Sequence, residues 1–329
     1  MRLGVLDIGS NTVHLLLVDA HPGARPVPFA SHKRPLSLVQ YLDGDGNITD
    51  AGQHELTEFV LEAWEFAARH KADDLLAFCT SAIREATNGP AVLARVKHET
   101  TVTLQELTGS EEASMTFFAV RRWYGWGAGP VLNLDIGGGS FEMASGQDEL
   151  PELATSVPLG ASRLTRDWLD QDPPSARSVK ELRRYIRATL KPAVRSFDAV
   201  GRANLVAGTS KTFRSLARIA GAAPSAAGPY VKRELLATDL GIWAQRISAM
   251  KTEDRLHLPG VSEARANQLL AGALVAEAAL ELFAFKKIRI CPWALREGLI
   301  LRRLDQLVFD GLEPAPHVGA QQPATLPAV

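Results

Sequence analysis

The chain opens with an apolar run, Arg2–Leu6, that halts at an acid and a short Gly-Ser-Asn turn before a second apolar run begins. The pattern returns in the middle of the chain, where LDIGGGSFEMASG at 134–146 matches LDIGSNTVHLLLVD at 6–19. Two alternating or apolar runs around a tight Gly-rich bend predict a β-hairpin with an acid, Asp7 or Asp135, at the bend. Two copies predict a duplicated architecture, two related α/β halves, each presenting one acid-and-glycine turn.

Periodicity fills in the rest. A third strand is predicted near Leu36–Leu42 and a turn at Asp43–Asn47, then an amphipathic helix from about Asp50 to Arg69 with Leu56, Phe59, Val60, Ala63 and Ala67 on one face. A strand at Leu75–Cys79, a helix after Pro90, a strand at Thr101–Leu107 and a helix from Ser110 to about Tyr124 follow. The segment GWGAGP at 125–130 breaks the periodicity and predicts a domain boundary, giving a first domain of residues 1–125 and a second of 126–310. The second half adds helices near 180–191, 233–250 and 262–285, a strand at 287–291 and a closing helix from about 294. Residues 311–329, rich in Pro and Ala and without periodicity, read as a disordered tail.

Composition narrows the function classes. Lys and Arg number 36 against 37 Asp and Glu, a net charge of −1, so the global field draws the chain toward neither nucleic acid nor an anionic membrane. An anion site must therefore be local. Two cysteines, Cys79 and Cys291, are too few for a disulfide framework or a zinc cage and favour a reducing, cytoplasmic compartment. The N-terminus lacks the apolar core of a signal peptide, and the apolar stretch 271–285 is interrupted by Glu277 and Glu281, too short to span a membrane.

Tight Gly/Ser/Asn turns expose successive backbone N–H groups that form a concave anion nest, which suits phosphate oxygens. Gly9, Ser10 and Asn11 form one such turn, Gly137, Gly138, Gly139 and Ser140 a second, and Gly208, Thr209 and Ser210 a third. Acids beside phosphate loops repel the ligand unless a divalent cation lies between, so Asp7, Asp135 and Glu142 point to hard oxygen ligation of Mg²⁺. Lys180, Arg183, Arg184, Arg187 and Lys191 share one helical face, read either as a solvated surface or as a track for a polyanion.

Taken in order, DIGSNTVHL, TSAIREA, TGSEEA, NLDIGGGSFEM, GTSKT and LREGLIL resemble the exopolyphosphatase/guanosine pentaphosphatase (Ppx/GppA) phosphatase family from residue 3 to about 303. The resemblance implies an actin-like (ASKHA) fold of two ribonuclease-H-like domains with a central active-site cleft, the helix from about 294 packing back on the first domain, and a homodimer. It implies Glu112 as general base, with Glu111 as second candidate, and Arg84 as the holder of the reacting phosphate, joined by the hydroxyls of Thr80 and Ser81. Asp135 and Glu142 take the metal and position the water, and Ser10, Asn11, Gly139, Ser140, Thr209 and Ser210 complete the phosphate loops. Lys211 adds a phosphate contact of its own.

The implied reaction is attack by water on the terminal phosphoryl group of inorganic polyphosphate with Mg²⁺, or Mn²⁺ in its place, releasing orthophosphate without a covalent enzyme intermediate. Removal of the 5′-terminal phosphate of pppGpp uses the same machinery and stays open as the alternative. A non-catalytic sensor of polyphosphate or ppGpp-type alarmones would keep the loops and lose the base, and an actin-like kinase would leave TGSEEA unexplained. The chain departs from the family at Ala207-Gly208-Thr209, where G-G-T is common, and at Arg34, which does not align with a family arginine. It also lacks the HD-type domain that follows this point in long relatives, which implies a preference for short chains.

Overall fold

The computed structural model describes residues 1–21 and 23–312, with side chains through Val308. The first hairpin forms as the alternation requires: β1 (Arg2–Ile8) runs antiparallel to β2 (Val13–Asp19), with Asp7 opposite His14. Its outer neighbour is β3 (Val27–Arg34), not the stretch 36–42, where Leu38–Tyr41 makes only a 3₁₀ turn. Leu36 and Leu38 suggest a strand because they are apolar, but each is an anchor of a turn sunk into the core. Helix α1 (Asp50–Arg69), capped by Thr49, follows as predicted. Then come β4 (Asp74–Cys79), α2 (Ser81–Arg84), α3 (Gly89–Thr100) and a strand β5 (Gln105–Glu106) shorter than the run 101–107. The sheet order is β3-β2-β1-β4-β5, with β1, β4 and β5 parallel.

The second sheet repeats the plan. After α4 (Gly109–Tyr124), β6 (Val131–Ile136), β7 (Phe141–Gly146) and β8 (Leu153–Val157) form an antiparallel meander in which Asp135 stands opposite Glu142. Helices α5 (Ala161–Trp168) and α6 (Ala176–Ser196) lead to β9 (Leu205–Gly208) and α7 (Lys211–Ile219). The segment 233–250 divides into β10 (Glu234–Leu236) and α8 (Ala237–Ser248). After α9 (Thr252–Arg255), the helix read over 262–285 is in fact α10 (Glu263–Ala266) and α11 (Leu269–Leu282), broken at Asn267–Gln268. Strand β11 (Lys287–Ile290) completes the order β10-β11-β9-β6-β7-β8, with β6, β9 and β11 parallel. In each sheet an antiparallel meander continues into parallel strands, the ribonuclease-H-like arrangement that an actin-like fold carries twice.

The chain divides into one unit of Met1–Thr108 with the stretch from Arg296 onward, and a second of Gly109–Leu295. The division thus falls at residue 108, not at 125–130. The reason is burial: Ala113, Phe117 and Val120 of α4 pack with Val131, Ala144, Leu205 and Ala207 of the second sheet, and a helix belongs with the sheet that covers its apolar face. The closing helix α12 (Leu295–Leu312) covers one face of the first sheet, where Ile300 and Leu304 meet Leu3, Val5 and Val18. The opposite face, with Leu6, Ile8, Leu15 and Leu17, is covered by Phe59, Val60 and Ala63 of α1. From residue 313 on, the tail read as disordered lies outside the described residues. Among those described, no helix is long and apolar enough to cross a membrane.

Candidate functional site

In the first unit the predicted residues gather at the carboxyl ends of β1, β4 and β5, the usual ligand end of a parallel sheet. Gly9 closes the β1–β2 turn by donating its N–H to the Thr12 carbonyl at 3.1 Å. Next to it, the buried hydroxyls of Ser10 and Ser81 lie 2.9 Å apart, tying the turn to the start of α2. Thr80, also buried, donates its amide to the Ile8 carbonyl and accepts from the amides of Ile83 and Arg84. Arg84 therefore sits at the end of a single turn fixed on the strand, and its Nη1 donates to the Leu107 carbonyl at 2.7 Å. Asp7 and its register partner His14 share the sheet face covered by α12, and His14 Nδ1 is in contact with the Arg296 guanidinium. Arg34 is committed elsewhere: its guanidinium donates to Glu55, Glu58 and Glu62 at 3.2, 2.9 and 2.5 Å.

In the second unit, the turn Gly137–Ser140 follows β6, and α5 docks against it end-on. The amides of Gly160 and Arg163 and the Arg163 side chain point at carbonyls of Gly138 and Gly139, and those of Ala161 and Ser162 at Gly137 and Gly138. The carbonyls are thus consumed on one side, while the amides of Gly138 and Gly139 donate to no protein acceptor among the described residues. Buried N–H groups left in this state form the anion nest anticipated from the glycines. Gly160 permits the docking, because a Cβ there would lie 2.2 Å from the Gly139 carbonyl carbon.

Two carboxylates stand beside the nest. Asp135 Oδ2 accepts from the Thr209 hydroxyl at 2.5 Å, and Glu142, only 2% exposed, accepts from Ser156 at 2.8 Å. A Cβ built on Gly137 would lie 3.8 Å from Glu142 Oε2, which places that carboxylate against the turn. Ser210, predicted as a phosphate ligand, caps α7 by accepting from the Phe213 amide at 3.3 Å, and Lys211 begins that helix, exposed.

Helix α4 brings Glu112 to the same end. Its C-terminal part is pinned by the fully buried Arg121, which donates to the carbonyls of Gly125, Gly129 and Gly146 at the start of the β6–β7 ladder. From there back to Glu112 the helix rises ~13 Å, the same ~13 Å that β6 covers from Val131 to Asp135. The rise of α4 from this pin to Glu112 thus matches the length of β6 up to Asp135. Of its two acids, Glu112 is half-buried on the sheet side and Glu111 exposed.

One residue not anticipated from the sequence joins this group. Arg265, on α10, is half-buried; burial lowers its pKa and the charge of Asp135 opposes that. Its segment is held by Arg255, whose Nη1 makes long contacts to the carbonyls of Ala266 and Asn267, and by Gln268, which accepts from Ser162 at 2.7 Å. The available signal was a lone arginine just before the apolar run of α11, and it became readable only once the helix was seen to break there.

The donor set suits a hard cation. Among the described residues no three His, Cys, Asp or Glu side chains form an ion cage. A carboxylate pair with further positions left for water and phosphate oxygens is the mode Mg²⁺ favours. The basic face of α6 does not form an open track, because Arg183 and Arg187 are ion-paired with Glu277 and Glu281 of α11.

Exopolyphosphatase 1 of Mycobacterium tuberculosis strain H37Rv is 55% identical over 306 residues, covering 93% of this chain and 89% of that protein. Exopolyphosphatase 1 of Mycobacterium leprae is 52% identical over 305 residues, covering 93% and 90%. A crystal structure of an exopolyphosphatase from Cytophaga hutchinsonii superposes with a TM-score of 0.83 at 24% identity, covering 93% of this chain and 98% of that one, and so shares the fold. Residues 17–307 match the Ppx/GppA phosphatase family, to which this chain belongs.

Proposed function

We propose that the protein is an exopolyphosphatase, a hydrolase that removes the terminal phosphate of inorganic polyphosphate as orthophosphate. The observation that carries the reading is the turn Gly137–Ser140: two amides without protein acceptors lie beside the carboxylates Asp135 and Glu142. The relatives at 52% and 55% identity bear the name exopolyphosphatase. A relative named for guanosine-5′-triphosphate,3′-diphosphate is only 26% identical, and this chain covers 58% of it, so the pppGpp reading is not favoured.

In this mechanism the amides of Gly138 and Gly139 bind phosphate oxygens, and Arg84 stabilises the charge that spreads over the equatorial oxygens of the phosphoryl group in flight. Asp135 and Glu142 would hold a divalent cation, Mg²⁺ or Mn²⁺, which would offset the charge of the leaving oxygens. Thr209 fixes the orientation of Asp135 through its hydroxyl. Glu112 takes the proton of the attacking water, and its position on a long helix pinned by Arg121 fixes the direction from which it acts. Arg265 lends a cation to the same end of the sheet.

The test is phosphate release from tripolyphosphate, long polyphosphate and pppGpp, each with Mg²⁺ or EDTA, by wild type and Glu112→Gln. The expected result is metal-dependent release from polyphosphate that falls ~10²–10⁴-fold in the variant. Release that survives the substitution overturns the assignment of the base; release from pppGpp alone overturns the substrate.

A further inference from the structure

A second charged recess opens at the other end of the same sheet, at the amino ends of β9 and β11, with a volume of about 700 Å³. Along β9 and the turn after it, that is on the order of 15 Å from Thr209 and Ser210. Its wall includes Tyr124 from α4, Arg202 from the loop before β9, and Phe285, Lys286, Lys287 and Arg289 from the turn into β11 and the strand itself. Four of these are cations, and no carboxylate lines the recess. In a chain with a net charge of −1, so local an excess marks a site and not a generally basic surface.

The excess is only partly neutralised. One carboxylate, Glu234, is shared by Lys287 at 3.0 Å, Lys232 at 3.1 Å and Arg289 at 3.4 Å. Lys286 is exposed and has no ion pair among the described residues. Arg202 lies over the Phe285 ring, 5.5 Å from its centroid, and makes a long 3.5 Å contact with the Ala284 carbonyl. A guanidinium held over a ring keeps its remaining N–H groups available to an oxyanion. Burial pushes the Tyr124 phenol up, so it stays neutral and offers a hydroxyl without adding negative charge.

The arrangement matches a particular ligand. Cations come from two chain segments around a volume far larger than one phosphate needs, which favours several linked anionic groups over a single ion. Of the two aromatic rings in the wall, Phe285 is already covered by Arg202, and the Tyr124 ring is held within a largely buried position at the end of α4. With no carboxylate in the wall, there is neither a base for water nor a ligand for a catalytic cation.

We propose that this recess binds a short phosphoanhydride chain without hydrolysing it, as a second hold on the protein separate from the residues at the carboxyl ends of the strands. The identification of inorganic polyphosphate as the chain's source rests on the function proposed above; a nucleoside triphosphate offers the same chemistry. The test is calorimetric titration in EDTA, which prevents turnover, with tripolyphosphate and separately with ATP. The proteins are wild type, Arg202→Glu/Lys286→Glu and Glu234→Gln, with R202Q/K286Q in reserve should the charge reversal disturb folding.

Two classes of tripolyphosphate site are expected in wild type. One should weaken roughly tenfold or more in the double variant, from the loss of two charge-assisted contacts, and tighten in Glu234→Gln. Phosphate release by the double variant from tripolyphosphate should stay within about twofold of wild type, since neither residue belongs to the catalytic group. ATP binding that is lost in the double variant, without any loss of tripolyphosphate binding, identifies a nucleotide as the source and supports the site. Identical isotherms for wild type and both variants overturn the proposal. Failure of hydrolysis in every protein, with the variant-sensitive binding retained, would overturn the function proposed above and leave this site standing.

Discussion

Gly160→Ala separates two arguments that give opposite signs. Gly160 has φ −71° and ψ 145°, a conformation that alanine adopts without strain. On backbone entropy alone the substitution should stabilise by about 0.4–1 kcal/mol. Packing argues the reverse. The new Cβ would lie 2.2 Å from the Gly139 carbonyl carbon, 2.3 Å from the Gly138 oxygen and 2.4 Å from the Gly138 carbonyl carbon, all backbone atoms that cannot rotate aside. With three backbone contacts this short, overpacking takes the upper end of its usual range, about 3 kcal/mol, so the net loss is about 2–2.6 kcal/mol, which for a unit of this size lowers Tm by about 4–10 °C. Relief requires the turn and α5 to separate by about 1 Å to reach the ordinary contact range near 3.4 Å, and a misplacement of that size costs ~10²-fold in rate. Thermal unfolding by calorimetry, paired with kcat for phosphate release at 25 °C, well below the midpoint, reads both effects. A Tm equal to or above that of wild type with full kcat would refute the claim that the Gly138–Gly139 turn is held by contact with Gly160.

Three other substitutions probe separate parts of the structure. Arg265→Ala should raise KM for polyphosphate by roughly tenfold or more, the value of a lost charge-assisted contact, with little change in Tm; an unchanged KM would remove Arg265 from the site. Ile300→Ala deletes a side chain fully buried between α12 and the first sheet, and should cost about 2–5 kcal/mol in urea unfolding of the first unit; a loss below that range would show that α12 is not part of that core. The hydrogen bond from Arg34 holds the Glu58 carboxyl below the usual glutamate range. A depressed carboxylate contributes stability above its unfolded pKa of about 4.3 and loses it as pH falls through the folded value. Glu58→Gln should therefore lower Tm slightly on the neutral side, leave the most acidic end little changed and so flatten the slope between them, and an identical slope below about pH 4.3 would count against it.

Local signals carried much of this fold. Both hairpins were readable because a glycine turn and a change from apolar run to acid lie within a few residues of one another, and α1 because a single apolar stripe, Leu56 to Ala67, needs no knowledge of its partner. The misreadings share a cause in long-range packing. β3 was missed because an edge strand such as VPFASHKR has an exposed side, while Leu36 and Leu38 nearby advertised burial that belongs to a turn. The basic face of α6 looked available until Glu277 and Glu281, four residues apart on α11, were found opposite Arg183 and Arg187 with the same spacing. At the site, the glycines and acids could be named from the sequence. Which amides lack acceptors, and that α4 belongs with the second sheet, depended on how α5 and Arg121 pack.

The first unit is written in two pieces, with all of Gly109–Leu295 inserted between them. During synthesis, then, β1 to β5 leave the ribosome long before Ile300 and Leu304 exist to cover Leu3, Val5 and Val18. At ~5–20 residues per second the nascent sheet waits about 10–40 s with one apolar face uncovered, while the inserted unit has every residue it needs to fold first. A segment translated after the whole inserted unit thus completes the first part, which makes the opening strands natural clients for a chaperone on the ribosome and makes premature termination near Leu295 far more damaging than the few missing turns of helix suggest.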